Sequence, residues 1–293
     1  MTKNLDHSNY RMPAEWETQK SVWITWPYNK NDWPGLFKYI PNTVAKIVAA
    51  ISKDQKVNLI LKPGEGTKSI KQILLKLKAK LKNIKFYKIS SNRIWIRDFG
   101  PIYLTNKKKK IFINFKFNGW AKYNDFEKDN KVNSFISRLT NIKKIEPTLK
   151  VGKKRYKMVL EGGAIDVNGN GSILLTKECL LSKVQERNPG INKSIYETIL
   201  SNLLNVKNFI WLNKGIKGDD THGHVDDISR FISKNKIMTA VEKNKNDQNY
   251  NILKQNLKIL NRAKDINGKR FKIIKIPMPN PIYIKKIRVP ASY

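Results

Sequence analysis

Hydrophobic and polar positions along the chain alternate between a helical period and a strand period. Behind Pro41, the apolar residues Val44, Ile47, Val48 and Ile51 recur at three- and four-residue spacing, which predicts an amphipathic helix. The same patterns predict further helices at 70–81, 126–139, 195–204 and 250–260, and strands at 57–61, 84–89, 111–117, 173–176, 208–212, 228–233, 236–241 and 271–276. Helix followed by strand therefore recurs about five times, and no linker rich in Gly, Ser or Pro interrupts the series. The sequence predicts one α/β domain over residues 1–293.

Composition excludes several classes of protein. Hydrophobic residues make up 40% and aromatic residues 10%, which a disordered chain lacks. The one cysteine, Cys179, excludes an intramolecular disulfide and a Cys-rich zinc site. No run approaches the roughly 20 apolar residues of a membrane helix, and the N-terminus does not resemble a signal peptide. We therefore expect a cytoplasmic protein without a membrane partner.

The charge balance is strongly basic, with 58 Lys and Arg against 23 Asp and Glu, a formal net charge of +35. One interpretation is a nucleic-acid-associated protein. The other is a solvated surface, because the basic residues are mostly Lys, are scattered, and form no nucleic-acid-binding motif. We favour the second interpretation and expect only weak, salt-sensitive adhesion to polyanions.

Two segments combine acidic side chains with glycine turns. Residues 92–101 place Trp95 and Asp98 before a Gly-Pro turn, so that Asp98 is a candidate for binding a cationic group. The alternative is an Arg–Asp pair that closes a loop. Residues 160–166 place Glu161 before two glycines, which suggests backbone that passes close to another group. The alternative there is a tight turn.

The segment 218–227 holds two of the three histidines. If it is extended, His222, His224 and Asp226 point to one face, which favours chemistry over core packing. A metal site would need further histidines, and only His7 remains. Cys179 is a candidate nucleophile by residue type, but it follows an apolar strand, which favours a small, buried, chemically quiet core residue.

Together these segments resemble the agmatine deiminase and bacterial peptidylarginine deiminase family of the guanidine-modifying superfamily. The resemblance covers essentially the whole chain. The matching motifs, in order, are Met12–Glu17, Val22–Pro27, Trp95–Pro101, Asn118–Trp120, Leu160–Gly163, Arg187–Gly190, Thr221–Asp226 and Arg288–Tyr293.

The resemblance implies a fold and a reaction. The fold is a pentein-type, five-bladed α/β propeller of repeated ββαβ units, here with an incomplete last blade. The reaction is hydrolysis of a guanidinium to a ureido group plus ammonia: agmatine to N-carbamoylputrescine, in putrescine and polyamine biosynthesis, or peptidyl-arginine to citrulline. It uses no metal and no organic cofactor. The family resemblance is also compatible with a homo-oligomer.

The resemblance also implies the site residues. Asp98 and Asp226 would bind the guanidinium, because paired carboxylates match its planar donors. His224 would be the general acid and base. The implied substrate-binding residues are Trp95, Glu161, Trp120 and Asp220.

One expected component is missing from these residues. In the family, the nucleophile is a Cys in a Gly-rich motif after the region that Arg288–Tyr293 resembles, and Cys179 matches a different position. The resemblance therefore implies a C-terminally truncated deiminase domain whose activity alone is in question. The alternatives are a non-catalytic guanidine-binding protein, one piece of a split enzyme, and a nucleic-acid-associated protein.

Overall fold

The computed structural model describes residues 9–106, 108–151, 153–284 and 286–291. The chain forms two compact units. The smaller unit comprises residues 18–100 and 124–141, and the larger unit comprises the rest. The expectation of one domain over 1–293 stays a prediction. Among the described residues, no helix is both long and apolar enough to cross a membrane.

The smaller unit contains a parallel sheet with the strand order β1-β2-β3. Its strands are β1 (Val22–Thr25), β2 (Val57–Leu61) and β3 (Ile84–Lys88), and the crossover helices are α1 (Ile40–Ser52) and α2 (Thr67–Lys76). Parallel neighbours require such crossovers, which is why helix and strand alternate here. The central strand is buried at Val57 and Leu59, and α1 packs Val48 into the same core.

Two more helices of the smaller unit position a segment of interest. They are the one-turn helix α3 (Ile96–Phe99) and α4 (Asp129–Thr140). Helix α4 turns Val132 and Ile136 inward, and the polar residues Asp129 and Asn133 are buried with them. Buried polar side chains require hydrogen-bond partners, and those of α4 are described below.

The larger unit repeats one three-stranded arrangement. In each sheet the first two strands are antiparallel and the third is parallel to the second, after a helix in the chain. The sheets are β4 (Ile102–Thr105), β5 (Lys110–Ile113) and β6 (Lys143–Ile145); β9 (Asp166–Val167), β10 (Ser172–Thr176) and β11 (Asn208–Leu212); and β12 (Ser229–Ser233), β13 (Lys236–Val241) and β14 (Lys272–Pro277). This ββαβ pattern is the repeat that the family resemblance implied.

Within the part of the chain that the structure describes, the larger unit also contains two hairpins and three α-helices. The hairpins are β7 (Thr148–Val151) with β8 (Lys154–Lys157), and β15 (Ile282–Ile284) with β16 (Ile287–Val289). The helices are α5 (Lys177–Leu181), α6 (Lys193–Leu204) and α7 (Tyr250–Arg262).

Most predicted elements are confirmed, and a few boundaries differ for local reasons. The helix predicted at 70–81 ends at Lys76, because Lys78 has a positive φ of 57° and residues 81–83 form a 3-10 turn. The strand predicted at 111–117 is the shorter β5. The short helices α3 and α5 were not predicted, because one turn shows no periodicity.

Candidate active site

His224 lies between two carboxylates in the larger unit. Its Nε2 is 4.0 Å from Oε2 of Glu161, and its Nδ1 is 3.9 Å from Oδ1 of Asp226. His224 and Glu161 are buried, whereas the Asp226 side chain is 17% exposed. A histidine held between carboxylates can accept and return a proton. Of the predicted site residues, the structure brings these three together.

The loop that carries His224 is wound around Asp219. The Asp219 carboxylate accepts hydrogen bonds from the backbone N–H of Thr221 (2.7 Å), Gly223 (2.7 Å) and His224 (3.2 Å). His222 and Gly223 have positive φ values of 64° and 96°. The segment is therefore not extended, and the condition under which His222, His224 and Asp226 would point to one face is not met. The His222 ring instead contacts Ser182 Oγ at 3.1 Å.

A close backbone contact fixes the base of the same loop. A Cβ atom added to Gly215 would lie 2.4 Å from Cα of Gly223. Gly215 N also donates to Glu178 Oε2 at 2.8 Å, and Thr176 Oγ1 donates to the Gly223 carbonyl. The loop preceding His224 is thus held by β10 and α5 rather than by its own sequence alone.

Glu161 forms a fully buried ion pair with Arg187. Arg187 Nε donates to Glu161 Oε1 at 3.0 Å, and neither side chain is exposed. The two terminal nitrogens of Arg187 donate to the carbonyls of Gln185 (2.9 Å) and Thr221 (2.5 Å). Arg187 therefore links Glu161 to the His224 loop. Sequence reasoning gave it no role, although the motif Arg187–Gly190 was the signal that could have found it.

Cys179 is buried, as predicted, but its surroundings were not foreseen. It lies in α5, where its backbone N–H donates to Thr176 Oγ1 at 3.1 Å, and not at a strand end. Its sulfur lies within 4.8 Å of a carboxylate oxygen of Glu161 and a ring nitrogen of His224. Burial raises the pKa of the thiol, and the hydrogen bond with His224 opposes this only in part.

Trp120 and Asp220 lie beside each other in the larger unit. Gln185 Nε2 donates to both of their carbonyls, at 2.9 and 3.2 Å. The Asp220 carboxylate accepts a hydrogen bond from Tyr123 Oη at 2.7 Å and pairs with Lys122. Trp120 is buried edge-to-face against Phe117, with ring centroids 4.9 Å apart.

The other predicted site residues, Trp95 and Asp98, belong to the smaller unit. Asp98 is buried in α3, whereas Trp95, which precedes it, is 41% exposed and tilted against Trp33 at 5.7 Å between ring centroids. An exposed indole is suited to stacking on a cation. Their convergence with His224 on one pocket stays a prediction. His7 and the end of the Arg288–Tyr293 motif lie outside the described residues.

Comparison with known proteins identifies the family. The family model described as Porphyromonas-type peptidyl-arginine deiminase matches residues 11–293. This chain belongs to that family.

Relatives and solved structures agree with the assignment. The agmatine deiminase of Medicago truncatula is 30% identical over 286 residues, which cover 94% of this chain and 73% of that protein. The agmatine deiminase of C. jejuni, solved as a cysteine-to-serine variant with substrate bound, is 31% identical with a TM-score of 0.82, covering 97% of this chain and 78% of that one. The agmatine deiminase of Enterococcus faecalis is 26% identical, with the same TM-score of 0.82 and the same coverage, 97% and 78%.

In this deiminase-family chain, helix α4 holds both ends of the segment that carries Trp95 and Asp98. Asp129 Oδ1 accepts from the backbone N–H of Asn92 (2.6 Å) and of Arg93 (3.2 Å). One turn later, Asn133 Nδ2 donates to the Phe99 carbonyl at 2.9 Å. Residues four apart share a helix face, which explains how one helix reaches both ends.

The Arg93 side chain adds a buried charge cluster to this segment. Its Nη1 pairs with Asp32 Oδ1 at 2.6 Å, and its Nη2 pairs with Asp125. Burial raises the pKa of Asp32 to about 6 and that of Asp129 to about 7, against the opposing effect of Arg93 and, for Asp129, of the two backbone donors.

Replacing Arg187 with Ala should lower the free energy of unfolding by about 3–5 kcal/mol, because it leaves the Glu161 charge buried without its partner. Urea unfolding followed by fluorescence measures the change. Lys183→Ala is the matched control, since Lys183 is 79% exposed and pairs with Glu186 at the surface; it should change stability by less than about 0.5 kcal/mol. Equal effects of the two substitutions would contradict a central role for the buried pair.

The raised pKa of Asp129 predicts a stability that falls with pH. A carboxyl group whose pKa is higher in the folded than in the unfolded state contributes its full stabilisation of the folded state at low pH. For Asp129 this contribution is lost as pH rises through about 7. Between pH 5 and pH 8 the wild-type chain should lose roughly 2 kcal/mol more than Asp129→Asn, which keeps an oxygen acceptor for both backbone donors. Urea unfolding at the two pH values tests this. The exposed Asp54→Asn variant should keep the wild-type slope, and an unchanged slope in Asp129→Asn would refute the assignment.

Proposed function

We propose that this chain acts on the guanidinium group of agmatine or a related guanidine, which is hydrolysed to a ureido group with release of ammonia. The observation that carries the proposal is the position of His224 between the carboxylates of Glu161 and Asp226, 4.0 and 3.9 Å away. The agmatine deiminases among its relatives support the choice of substrate.

Binding of a guanidinium requires local negative charge, because the chain as a whole carries +35 and repels cations. Oε1 of Glu161 is already occupied by Arg187, and the Asp220 carboxylate by Lys122 and Tyr123. We assign Asp226 to the substrate, because its carboxylate faces His224 and its side chain is 17% exposed. The family resemblance implies that Asp98 is the second carboxylate and that Trp95 stacks on the cationic plane, at about 0.5–2 kcal/mol, and both roles stay predictions.

His224 would carry the protons of the reaction. When a nucleophile adds to the guanidinium carbon, one C–N bond must break, and the leaving nitrogen needs a proton to depart as ammonia. His224 donates that proton and then takes one from the water that releases the ureido product. Glu161 faces Nε2 of His224 and is itself fixed by Arg187, so we assign it to holding the histidine in place.

Cys179 does not suit the role of nucleophile. The thiolate is the reactive form, and burial raises the pKa of this thiol. The nucleophile that the family resemblance implies belongs to a Gly-rich motif that is not among these 293 residues. We therefore expect these residues by themselves to bind a guanidine without rapid turnover, which is also what a non-catalytic binding protein would do.

The repeated sheets support a finer proposal about the fold. The sheets β4–β6, β9–β11 and β12–β14 share the ββαβ order, whereas the β1–β3 sheet is parallel throughout and β15–β16 is a hairpin; together these are five groups of strands, beside the β7–β8 hairpin. We propose that these groups correspond to the five blades that the family resemblance implies.

Asp226→Asn should weaken agmatine binding by about 10–100-fold. The substitution removes the carboxylate charge, and a hydrogen bond between charged groups contributes about 1.5–3 kcal/mol. Isothermal titration calorimetry with agmatine measures the affinity, while ammonia and N-carbamoylputrescine are assayed in parallel. Glu242→Gln removes the same charge elsewhere in the larger unit and should leave binding unchanged.

Competing ligands separate the alternatives in the same experiment. Tighter binding of an arginine-containing peptide than of agmatine would favour a peptidyl-arginine substrate. Binding of neither, together with salt-sensitive retention of DNA, would refute the guanidine proposal and favour the nucleic-acid-associated function.

A further inference from the structure

We propose that Glu161, Cys179 and His224 form a binding site for one thiophilic divalent cation of the Zn²⁺ class. Each residue offers one ligand atom, and the three atoms lie within 4.8 Å of one another. This site does not require the proposed guanidine chemistry. It differs from the His222-x-His224 arrangement considered from the sequence, since the His222 ring contacts Ser182 instead.

The spacing is close to what a tetrahedral ion needs. Zn–N and Zn–O bonds of about 2.0–2.2 Å place neighbouring ligand atoms about 3.4 Å apart in tetrahedral geometry. Glu161 Oε2 and His224 Nε2 are 4.0 Å apart. A closure of roughly 0.6 Å, within the reach of small side-chain rotations, would bring both atoms into bonding distance.

The Glu161 carboxylate provides an independent indication that points to a cation. Glu161 Oε2 is fully buried, and within the described residues it has no hydrogen-bond partner. A buried carboxylate oxygen without a hydrogen-bond donor destabilises the folded protein, because its hydrogen bonds to water are lost and no protein hydrogen bond replaces them. An ion between Oε2 and His224 Nε2 would satisfy this oxygen.

The charges around the three ligands balance for a divalent ion. Arg187 and the cation contribute +3 together, and Glu161, Asp226 and a Cys179 thiolate contribute −3. Asp226 Oδ1 also faces the other ring nitrogen of His224 at 3.9 Å. A carboxylate behind the ligating histidine is the usual second partner that orients such a ring.

The donor set selects the kind of ion. Sulfur, imidazole nitrogen and a single carboxylate oxygen suit Zn²⁺ or Co²⁺, whereas Mg²⁺ and Ca²⁺ prefer oxygen donors alone. Cys179 binds the ion as a thiolate, so the ion must displace the thiol proton and binding strengthens as pH rises. A bound ion occupies the ring nitrogen of His224 and therefore blocks proton transfer there.

Cobalt is the sharpest probe, because Cys179 is the one cysteine of the chain. Titration of the untagged 293-residue protein with Co²⁺ at pH 8 should give a thiolate-to-cobalt charge-transfer band that saturates at one equivalent. Zn²⁺ should bleach the band, Mg²⁺ should leave it unchanged, and one proton should be released per ion bound.

Three substitutions assign the ligands. Cys179→Ser should abolish the band, and His224→Asn and Glu161→Gln should each weaken Co²⁺ binding at least 10-fold, while His222→Asn, the matched histidine control, should change nothing. Circular dichroism confirms that each variant is folded, and isothermal titration calorimetry with Co²⁺ measures binding even in Cys179→Ser, which has neither the band nor a thiol proton to release.

Two results would overturn the site. One is the absence of the band at millimolar Co²⁺ in folded wild-type protein, and the other is a band that saturates at the wild-type Co²⁺ concentration in both His224→Asn and Glu161→Gln. Agmatine calorimetry on the metal-free protein is a separate measurement, so failure of the metal site and failure of the guanidine proposal are distinguishable.

Discussion

The buried ion pair between Arg187 and Glu161 is the interaction on which the His224 site depends. One guanidinium reaches three parts of the larger unit: the Glu161 carboxylate, the Gln185 carbonyl and the Thr221 carbonyl. A buried ion pair is not by itself a source of stability, since desolvation of the two charges offsets much of their attraction. An apolar pair of the same volume would lack directed donors and could not fix the loop that carries His224. The ion pair is therefore best explained by its role in fixing the position of the loop that carries His224.

The same ion pair also explains why the acidic residues near His224 differ in their binding partners. Arg187 is itself a guanidinium, bound by a carboxylate and two carbonyls in the manner that a guanidine ligand would require. Glu161 is thereby occupied by an internal cation, and Asp219 is occupied by backbone donors of its own loop. Asp226 lies on the other side of His224, and its side chain is 17% exposed. Burial, and not the number of acids in the motif, decides which of them can meet a substrate.

The sequence predicted the regular elements well and the site loops poorly, for a physical reason. The strands β2 and β11 were predicted to the residue, because a run of buried apolar residues is a local signal. For the segment 218–227 the sequence indicated only what an extended strand would present on one face, whereas the shape of the loop follows from hydrogen bonds to the Asp219 carboxylate and from contacts of Gly215 with Gly223. Such bonds depend on tertiary neighbours that no periodicity records. The site residues were predicted from ordered family motifs instead, and the motif Arg187–Gly190 does not by itself show that Arg187 pairs with Glu161.

Cys179 shows how one environment can exclude one chemistry and favour another. Burial against Glu161 and His224 keeps the thiol protonated and out of reach of a substrate, which makes it a poor nucleophile. The same burial removes water from three potential ligand atoms and leaves Glu161 Oε2 without a donor. Buried ligand atoms bind a soft cation more strongly than exposed ligand atoms, because water does not compete with the cation for them. A proton and a metal ion are thus alternative occupants of the space between Cys179 and His224, and pH determines the balance between them.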